Sequence, residues 1–427
     1  MSTPRLCWKE CDMHSRRGCL AVACVSTRLR SILWPLLGKS PISGWDLLPQ
    51  YHVFDALSES LAKDYSVTFY DTKWFGGYPA FSFYGQLPYV FGVMFYWFLG
   101  LGLAPVLGLS SLSLIQSINF YYAALAIVFV LGFVRASRQL FPGEVSTFAA
   151  FAAFLYLTHL NFNPALNIGL FRGLLHGHIA EFFASILVLF FIAELVSFRR
   201  IPSRKKIYTL GVLLGAVALS HTMTLFFLFC YVLLYFLLDK NSTKEGLFST
   251  ALIGFIISGA WLYSFWANLK FSSGEALVYV DIDPLVATFA GVSEMGNTFR
   301  GAAGWATVWA LPYSGILLML GGLVGMVGIW KRRHSPFPLV YLVLLLLVPR
   351  NILGALFDLP LHFYRFNGPL VLLFYLALPA GLRMLCNKLR FSENIPLEAA
   401  LYSLIVLSVF GNFQSTSWLV GKSAPWG

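Results

Sequence analysis

The side chains best suited to acid–base or phosphate chemistry stand in short polar segments between long apolar runs. The first segment contains Gly44-Trp45-Asp46, with His52 six residues after the aspartate. A carboxylate placed here could act as a general base towards a hydroxyl group. An aspartate in this position could equally cap the N-terminus of a helix. Both interpretations of Asp46 stay open on the residues alone.

A second polar segment begins at Arg172 and continues through His176 and His178 to Glu181, where an apolar run starts. His178 and Glu181 are three residues apart, so they share one face of a helix. They could hold a metal ion, or they could bind a phosphate or a sugar together with Arg172. A His-x-x-Glu pair does not indicate a metal without a third ligand of known position. Anchoring of the helix at the membrane interface explains the same residues equally well.

A third segment places His362 and Arg365 directly before a late apolar run. An arginine in this position suits a lipid-linked phosphate, because its guanidinium group forms bidentate, charge-assisted hydrogen bonds. An arginine that extends to the lipid headgroups is an equal alternative. The polar loop 270–306 carries further acidic residues, which we interpret as solvated charges.

The elements that must position these residues are apolar helices. The chain is 58% hydrophobic and only 11% charged, with a mean hydropathy of +0.72, whereas soluble domains carry about 25% charged residues. Lipid cannot satisfy an open backbone, so long apolar runs without alternation must be helical. Ten such runs occur, at 88–107, 112–134, 145–162, 179–198, 207–238, 249–269, 307–330, 337–356, 368–385 and 397–411.

These runs predict an all-α polytopic membrane protein with about ten to twelve spans or half-spans. Residues 44–427 are predicted to form one transmembrane domain. Residues 1–43 form a poorly defined N-terminal segment or a marginal first span. Arg28 and Arg30 interrupt the apolar stretch in that segment, and each would cost about 2.5–3.5 kcal/mol at a helix centre.

The formal net charge of +11 comes largely from short basic clusters between the apolar runs. This distribution follows the positive-inside rule for cytoplasmic loops. It argues against nucleic-acid binding, which needs a basic face on one element. The run 207–238 has basic residues at both ends and predicts a hairpin with His221 at its tip. One conflict remains, because 88–107 cannot be a simple span if residues 39–87 are outside and Arg135 is inside.

This topology places the polar candidates on the non-cytoplasmic side, with external loops at about 44–87 and 270–306. Polar groups at membrane depth are expensive and usually face a cavity or a site. We therefore predict one outward-facing polar site. The residues on or near that side are His52, Arg172, His176, His178, Glu181, His221, His362 and Arg365.

Several of these residues also occur in a familiar order between residues 44 and 385. The chain resembles the GT-C superfamily and, more narrowly, the membrane proteins labelled pyruvoyl-tetrahydropterin-synthase-related. The residues that carry the resemblance are Gly44-Trp45-Asp46, His52, Trp74-Phe75-Gly76-Gly77-Tyr78-Pro79, Phe83-Tyr84, Arg172-Gly173, Glu181, Ser220-His221 and Arg365-Phe366.

The resemblance implies a GT-C-like helix bundle and a membrane glycosyltransferase that takes a sugar from a polyprenyl-phosphate donor on the outer face. The acceptor would be a glycan, a lipid or a protein, and membrane lipids would surround the bundle. In that superfamily an acidic residue of the first external loop is the usual base, which corresponds to Asp46. We expect the plasma membrane of a prokaryote as the location.

We assign roles to the other candidates on this basis. Glu181 and His178 would orient the acceptor or, with Asp46, hold a divalent cation such as Mg²⁺ or Mn²⁺. Arg365 and Arg172 would bind the donor phosphate, where negative charge builds on the leaving group. The remaining candidates for substrate binding are His52, His221 and His362.

Two other classes of function stay open. A transporter or flippase for a lipid-linked substrate would need intramembrane charges and repeat-related broken helices. No two-fold repeat is apparent in the sequence, which favours the enzyme. A non-catalytic membrane scaffold would make the one-sided clustering of polar residues accidental.

Cysteine labelling tests the predicted topology. Single cysteines introduced as Phe75→Cys or Arg300→Cys, with the six native cysteines replaced by serine, should react with a membrane-impermeant thiol reagent added outside the membrane. Ser203→Cys and Arg333→Cys should not react, because the basic clusters stay cytoplasmic. External labelling at position 203 would reverse the orientation of the whole central region.

Overall fold

The chain is an integral membrane protein built from helices, as the composition predicts. The computed structural model describes residues 47–71, 78–81, 85–106, 108, 111–141, 145–158, 178–238, 244–268, 310–333, 335–347 and 367–388. Its helices are α1 Leu47–Asp64, α2 Leu87–Val106, α3 Leu114–Leu140, α4 Ser146–Thr158, α5 Ile179–Arg200, α6 Arg204–Ala218, α7 Thr222–Leu238, α8 Lys244–Asn268, α9 Ala310–Arg333, α10 Phe337–Leu347 and α11 Asn367–Lys388.

Two short strands, β1 (Tyr70–Asp71) and β2 (Tyr78–Pro79), pair in antiparallel fashion between α1 and α2. Within the described residues, four helical segments are long and apolar enough to cross a membrane: Leu87–Val106, Leu114–Leu140, Ile179–Arg200 and Gly246–Ala267. Shorter apolar helices occur at Thr222–Leu238, Leu320–Lys331 and Pro369–Leu385.

The predicted apolar runs correspond closely to the observed helices. Nine of the ten runs contain a helix, and the tenth, 397–411, lies outside the described residues. The predicted hairpin in 207–238 is confirmed, since α6 and α7 are joined by a turn at 219–221. The all-α polytopic fold class is therefore confirmed, while the N-terminal segment 1–43 and the loop 270–306 lie outside the described residues.

One end of the bundle is held together by basic side chains. Arg135 of α3 forms an ion pair with Glu194 of α5, and Arg200 donates hydrogen bonds to Gln139 at the end of α3. Lys206, in the first turn of α6, donates to backbone carbonyls at the C-terminus of α5. Arg200 and Lys206 thereby satisfy the carbonyls of Gln139 and Ile201, at helix ends where carbonyls lack an intrahelical donor. We call this end, which contains Arg135, Arg200 and Lys206, the basic end.

At the opposite end α5 begins after His178, and the α6–α7 turn carries His221. The start of α2 contacts both elements. The backbone N–H of Leu87 donates to the carbonyl of Leu219 at 3.0 Å, and Phe91 packs against Phe183 of α5 with ring centroids 5.7 Å apart. We call this end, which contains His178 and His221, the histidine end.

The course of α2 resolves the conflict over the run 88–107. α2 runs antiparallel to the first part of α3: Tyr121 donates to the carbonyl of Pro88 at 2.9 Å, and Gly100 approaches Ser117, nearer the start of α3. Thus α2 leads away from the histidine end and α3 returns past it to the basic end. Of these two helices only α3 reaches the basic end, so α2 is not a simple crossing. A π-helical segment, Tyr96–Leu103, lies within α2.

In the first external loop, Val53, Leu57 and Leu61 alternate with Asp55, Glu59 and Lys63, a pattern that predicts an amphipathic helix lying at the membrane interface. These residues form part of α1. Leu57, on the predicted apolar face, is fully buried, and the charged residues of the opposite face, Asp55, Glu59 and Lys63, are exposed. The apolar face contacts α2 and α3 within the protein. Polar side chains reinforce this contact through the bonds Tyr51 to Asn119, Tyr89 to Gln50, and Trp97 to Ser58.

The core is centred on α5, in which most residues are buried. Phe129 of α3 stacks on Phe182 of α5 at 5.5 Å and on Tyr156 of α4 at 5.2 Å. Aromatic stacking of this kind adds to the packing energy beyond buried area. The three helices α3, α4 and α5 thus form one packed unit beneath the histidine end.

Two other helix pairs pack through glycines. On α9, Gly321 and Gly325 face Gly381 of α11, and a Cβ at Gly381 would overlap the carbonyl of Gly321. On α6, Gly211 and Gly215 face the backbone and isoleucines of α8. Lipid tails are as apolar as the helices, so such pairs depend on close backbone packing at small residues.

Alanine substitution tests this packing. Gly381→Ala should lower the thermal unfolding midpoint in detergent, because the new methyl group overlaps backbone atoms of α9. Gly259→Ala in α8 is the matched control, since its new Cβ has no described neighbour closer than 3.9 Å. Alanine also favours a helix by about 1 kcal/mol over glycine. Equal midpoints for the two variants would contradict close α9–α11 packing.

Candidate functional site

The histidine end is assembled where the chain before α2 lies against the α6–α7 turn. Gly85 approaches this turn so closely that any Cβ would overlap the carbonyl of Ser220. Two residues later, Leu87 donates its N–H to Leu219. Glycine is therefore required at position 85 by the close approach of two backbones. This contact joins the first polar segment of the sequence to the turn that carries His221.

His221 is buried and caps the start of α7. Its Nδ1 accepts the backbone N–H of Thr224 at 3.3 Å and lies 2.8 Å from the Thr224 hydroxyl. The cap satisfies one of the N–H groups that a helix N-terminus leaves unpaired. Because Nδ1 acts as an acceptor, the neutral ring carries its proton on Nε2. The imidazole can thus present an N–H donor while its other nitrogen holds the turn.

Glu181 lies in the first turn of α5 and is only 4% exposed. The positive end of the helix dipole favours a carboxylate in this position. His178 directly precedes the helix, and its side chain makes no capping hydrogen bond. Phe91, near the start of α2, packs against Phe183 in this turn of α5. α2 therefore links the segment of Glu181 to the turn of His221.

His52 lies on α1 and contacts Asp71 of β1, with 2.7 Å between Nε2 and the Oδ2 atom. Asp71 is 7% exposed, and β2 holds its strand in place. A carboxylate that contacts one ring nitrogen fixes the orientation and tautomer of a histidine. Sequence reasoning missed Asp71 because its partner is 19 residues away and no local pattern marks the pair.

The strand pair is itself attached to the bundle. Trp261 of α8 donates its indole N–H to the carbonyl of Phe81 at 3.0 Å. The ring of Phe81 lies 5.3 Å from that of Tyr89 in α2. These contacts bring His52 and Asp71 to the histidine end, beside the start of α2.

The structure thus places four of the predicted site residues, His52, His178, Glu181 and His221, at the histidine end. The other five, Asp46, Arg172, His176, His362 and Arg365, lie outside the described residues. Asp46 directly precedes α1 in the sequence, and the following turns of α1 contact α2 and α3 through Gln50 and Tyr51.

A metal site is not complete in the described part of the chain. No group of three His, Cys, Asp or Glu residues there is arranged to hold a metal ion. His52 and Asp71 supply two potential donors, but they face each other at hydrogen-bond distance. Any cation at this end would need ligands from beyond the described residues.

Comparisons with known proteins identify the fold. No family model matches the sequence, and no curated protein matches it. Three structures of the Archaeoglobus fulgidus oligosaccharyltransferase are similar to this chain. The complex with Zn and sulfate has a TM-score of 0.52 at 14% identity, over 93% of this chain and 55% of that one. The apo form has a TM-score of 0.54 at 13% identity, over 98% of this chain and 59% of that one.

The third structure is that of the archaeal oligosaccharyltransferase AglB in complex with an inhibitory peptide and a dolichol-phosphate. It has a TM-score of 0.52 at 13% identity, over 96% of this chain and 59% of that one. The chain therefore spans between 55% and 59% of the length of these neighbours. The likeness supports the predicted GT-C fold, while the narrower pyruvoyl-tetrahydropterin-synthase-related family is not confirmed.

The capping role of His221 can be tested separately from any activity. His221→Asn should fold like the parent protein, because asparagine is a good N-cap for Thr224. His221→Ala should lower the free energy of unfolding by about 1 kcal/mol. Ser203→Ala, which removes the N-cap of α6 at the other end, should cost a similar amount. Equal destabilisation by asparagine and alanine at position 221 would exclude the cap.

Proposed function

We propose that this chain is a membrane glycosyltransferase of the GT-C type. It transfers a sugar from a polyprenyl-phosphate donor to a glycan, lipid or protein acceptor on the non-cytoplasmic side of the membrane. The observation that carries the proposal is the position of α2, which contacts both the start of α5 and the α6–α7 turn. Glu181 and His221 thereby share one end of a bundle that has the fold of an oligosaccharyltransferase.

Asp46 is the proposed general base. In the reaction, the acceptor hydroxyl oxygen forms a bond to the anomeric carbon while the bond from that carbon to the phosphate oxygen breaks. The hydroxyl proton passes to the Asp46 carboxylate, and the lipid phosphate leaves with the bonding electron pair. One base and a direct displacement are sufficient for inversion, so no second carboxylate is needed as a nucleophile.

Glu181 is proposed to orient the acceptor together with His178. Its carboxylate is buried in the first turn of α5, where water is largely excluded. Electrostatic interactions are stronger in such surroundings than in water. A preorganised carboxylate can therefore hold an acceptor hydroxyl in the attacking position without a large reorganisation.

The histidines are proposed to contact the sugar or the phosphate. His221 offers its Nε2–H while Nδ1 holds the turn. His52 is oriented by Asp71, which makes Asp71 a positioning residue rather than a catalytic one. The third, His362, precedes the helix α11 in the sequence.

Arg365 and Arg172 are proposed to bind the donor phosphate. Guanidinium groups form bidentate hydrogen bonds with phosphate oxygens, and they stabilise the charge that grows on the leaving group. A neighbour of the same fold was solved with a dolichol-phosphate, which supports a lipid phosphate as the leaving group.

A divalent cation is a further part of the proposal. Asp46, His178 and Glu181 would supply two carboxylates and one imidazole, a softer set than the oxygen ligands that Mg²⁺ prefers. Mn²⁺ would accept this mixed set, and a bound cation would neutralise negative charge near the phosphate. One neighbour was solved with Zn and sulfate.

Paired variants separate the base from the phosphate ligand. Asp46→Asn should lower sugar transfer by about 10²–10⁴-fold, because it removes the proton acceptor, while donor binding is retained. Arg365→Ala should weaken donor binding, because it removes a charge-assisted contact. Transfer from polyprenyl-phosphate sugars is measured in reconstituted membranes, and donor binding is measured separately on the same variants.

Asp55→Asn and Arg138→Ala are matched controls, since both side chains are exposed and neither belongs to the proposed site. Both controls should retain transfer and donor binding. Undiminished turnover in Asp46→Asn would remove Asp46 from the mechanism. Movement of an intact lipid-linked sugar across the membrane without transfer would instead identify a flippase.

A further inference from the structure

The outer face of α6 carries a groove that begins at Lys205 near the basic end. Tyr208, Thr209, Val212 and Leu213 continue it along the helix. The spacing of these residues places them on one side of α6. Tyr208 is 61% exposed and Val212 is 53% exposed, so this side is not covered by another described helix. The groove thus joins a positive charge to an apolar surface.

Two cations at the start of the groove, Arg204 and Lys205, differ from the other cations of the basic end in their bonding. Arg135, Arg200 and Lys206 are engaged by protein groups at the basic end. Arg204 and Lys205 are exposed, and neither side chain has a hydrogen bond or an ion pair within the part of the chain that the structure describes. Their charges are therefore available to an external anion.

The position of these cations also has an energetic cost within the protein. Arg204, Lys205 and Lys206 occupy the first turn of α6, where the helix dipole is positive. Cations in a first turn are unfavourable, and nearby anions are favourable. Glu194, a described carboxylate at the basic end, is already paired with Arg135. An anion from outside the chain would offset this repulsion.

We propose that the α6 groove binds one anionic phospholipid. Its phosphate contacts Arg204 and Lys205, and an acyl chain lies along Tyr208, Val212 and Leu213. Charge complementarity selects an anionic headgroup, while the exposed apolar side of a membrane helix selects an acyl chain. Tyr208 lies one helical turn after Arg204. Its side chain has the amphipathic character typical of residues at headgroup level.

This site is separate from the proposed transferase site, because the groove begins at the opposite end of α6 from His221. Its occupation would stabilise the junction between α5 and α6, where Lys206 already contacts the end of α5. The lipid would thus act on the packing of α6 against α5 and not directly on sugar transfer.

Lipid binding to the full chain tests the proposal. The protein is purified in a neutral detergent, and phosphatidylglycerol or phosphatidylcholine is titrated while bound lipid is followed by native mass spectrometry. Lys205→Gln should weaken phosphatidylglycerol binding about fivefold, and the double variant with Arg204→Gln about thirtyfold, from the usual value for one cation near an anionic headgroup. Binding of phosphatidylcholine should not change.

Lys331→Gln is the matched control, because Lys331 is another exposed cation, located near the end of α9. It should leave phosphatidylglycerol binding unchanged. An equal loss in Lys331→Gln would show non-specific charge attraction and overturn the site. Glycerol phosphate, which lacks acyl chains, should bind far more weakly than phosphatidylglycerol, and equal binding would exclude a lipid site.

Substitution within the groove tests the acyl-chain contact. Val212→Asn should weaken phosphatidylglycerol binding while both cations are retained. Val128→Asn in α3 changes an exposed valine away from the groove and should have no effect. Unchanged thermal midpoints in neutral detergent show that the variants remain folded. Unaltered phosphatidylglycerol binding in Val212→Asn would overturn the placement of the chain along α6.

Discussion

The backbone contact between residues 85–87 and the α6–α7 turn is the interaction on which the histidine end depends. It joins the segment before α2 to a turn that lies more than a hundred residues later in the chain. Gly85 permits the approach because it has no Cβ, and the hydrogen bond from Leu87 to Leu219 fixes its register. α2 then extends this connection to the start of α5. Without this contact, the segments of His52, Glu181 and His221 would belong to separate loops.

Charge is used differently at the two ends of the bundle. At the basic end, Arg135, Arg200 and Lys206 bond to carbonyls and a carboxylate near the ends of α3 and α5, which stabilises the helix termini directly. At the histidine end, a buried carboxylate lies at a helix start and two histidines are oriented by protein groups. Oriented and partly buried polar groups are typical of a site that acts on a ligand. This contrast supports a functional histidine end and a structural basic end.

The helices hold together by two kinds of packing. Around α5, aromatic rings and aliphatic side chains fill the centre, whereas α9–α11 and α6–α8 meet through glycines. Both are expected where lipid removes most of the hydrophobic drive for helix association. The chain shares its fold with a much longer oligosaccharyltransferase at only 13% identity. This is possible because many different apolar sequences satisfy the same helix packing.

The sequence alone determined most of the helices and the α6–α7 hairpin, because a helix that crosses a bilayer requires a long apolar run, which is a local property of the sequence. It also predicted which face of α1 is buried. Only the tertiary structure decided that α2 turns back along α3, that Asp71 contacts His52, and that His221 caps α7. These features arise from contacts between residues distant in the chain or from a single rotamer, and neither leaves a periodic pattern in the sequence.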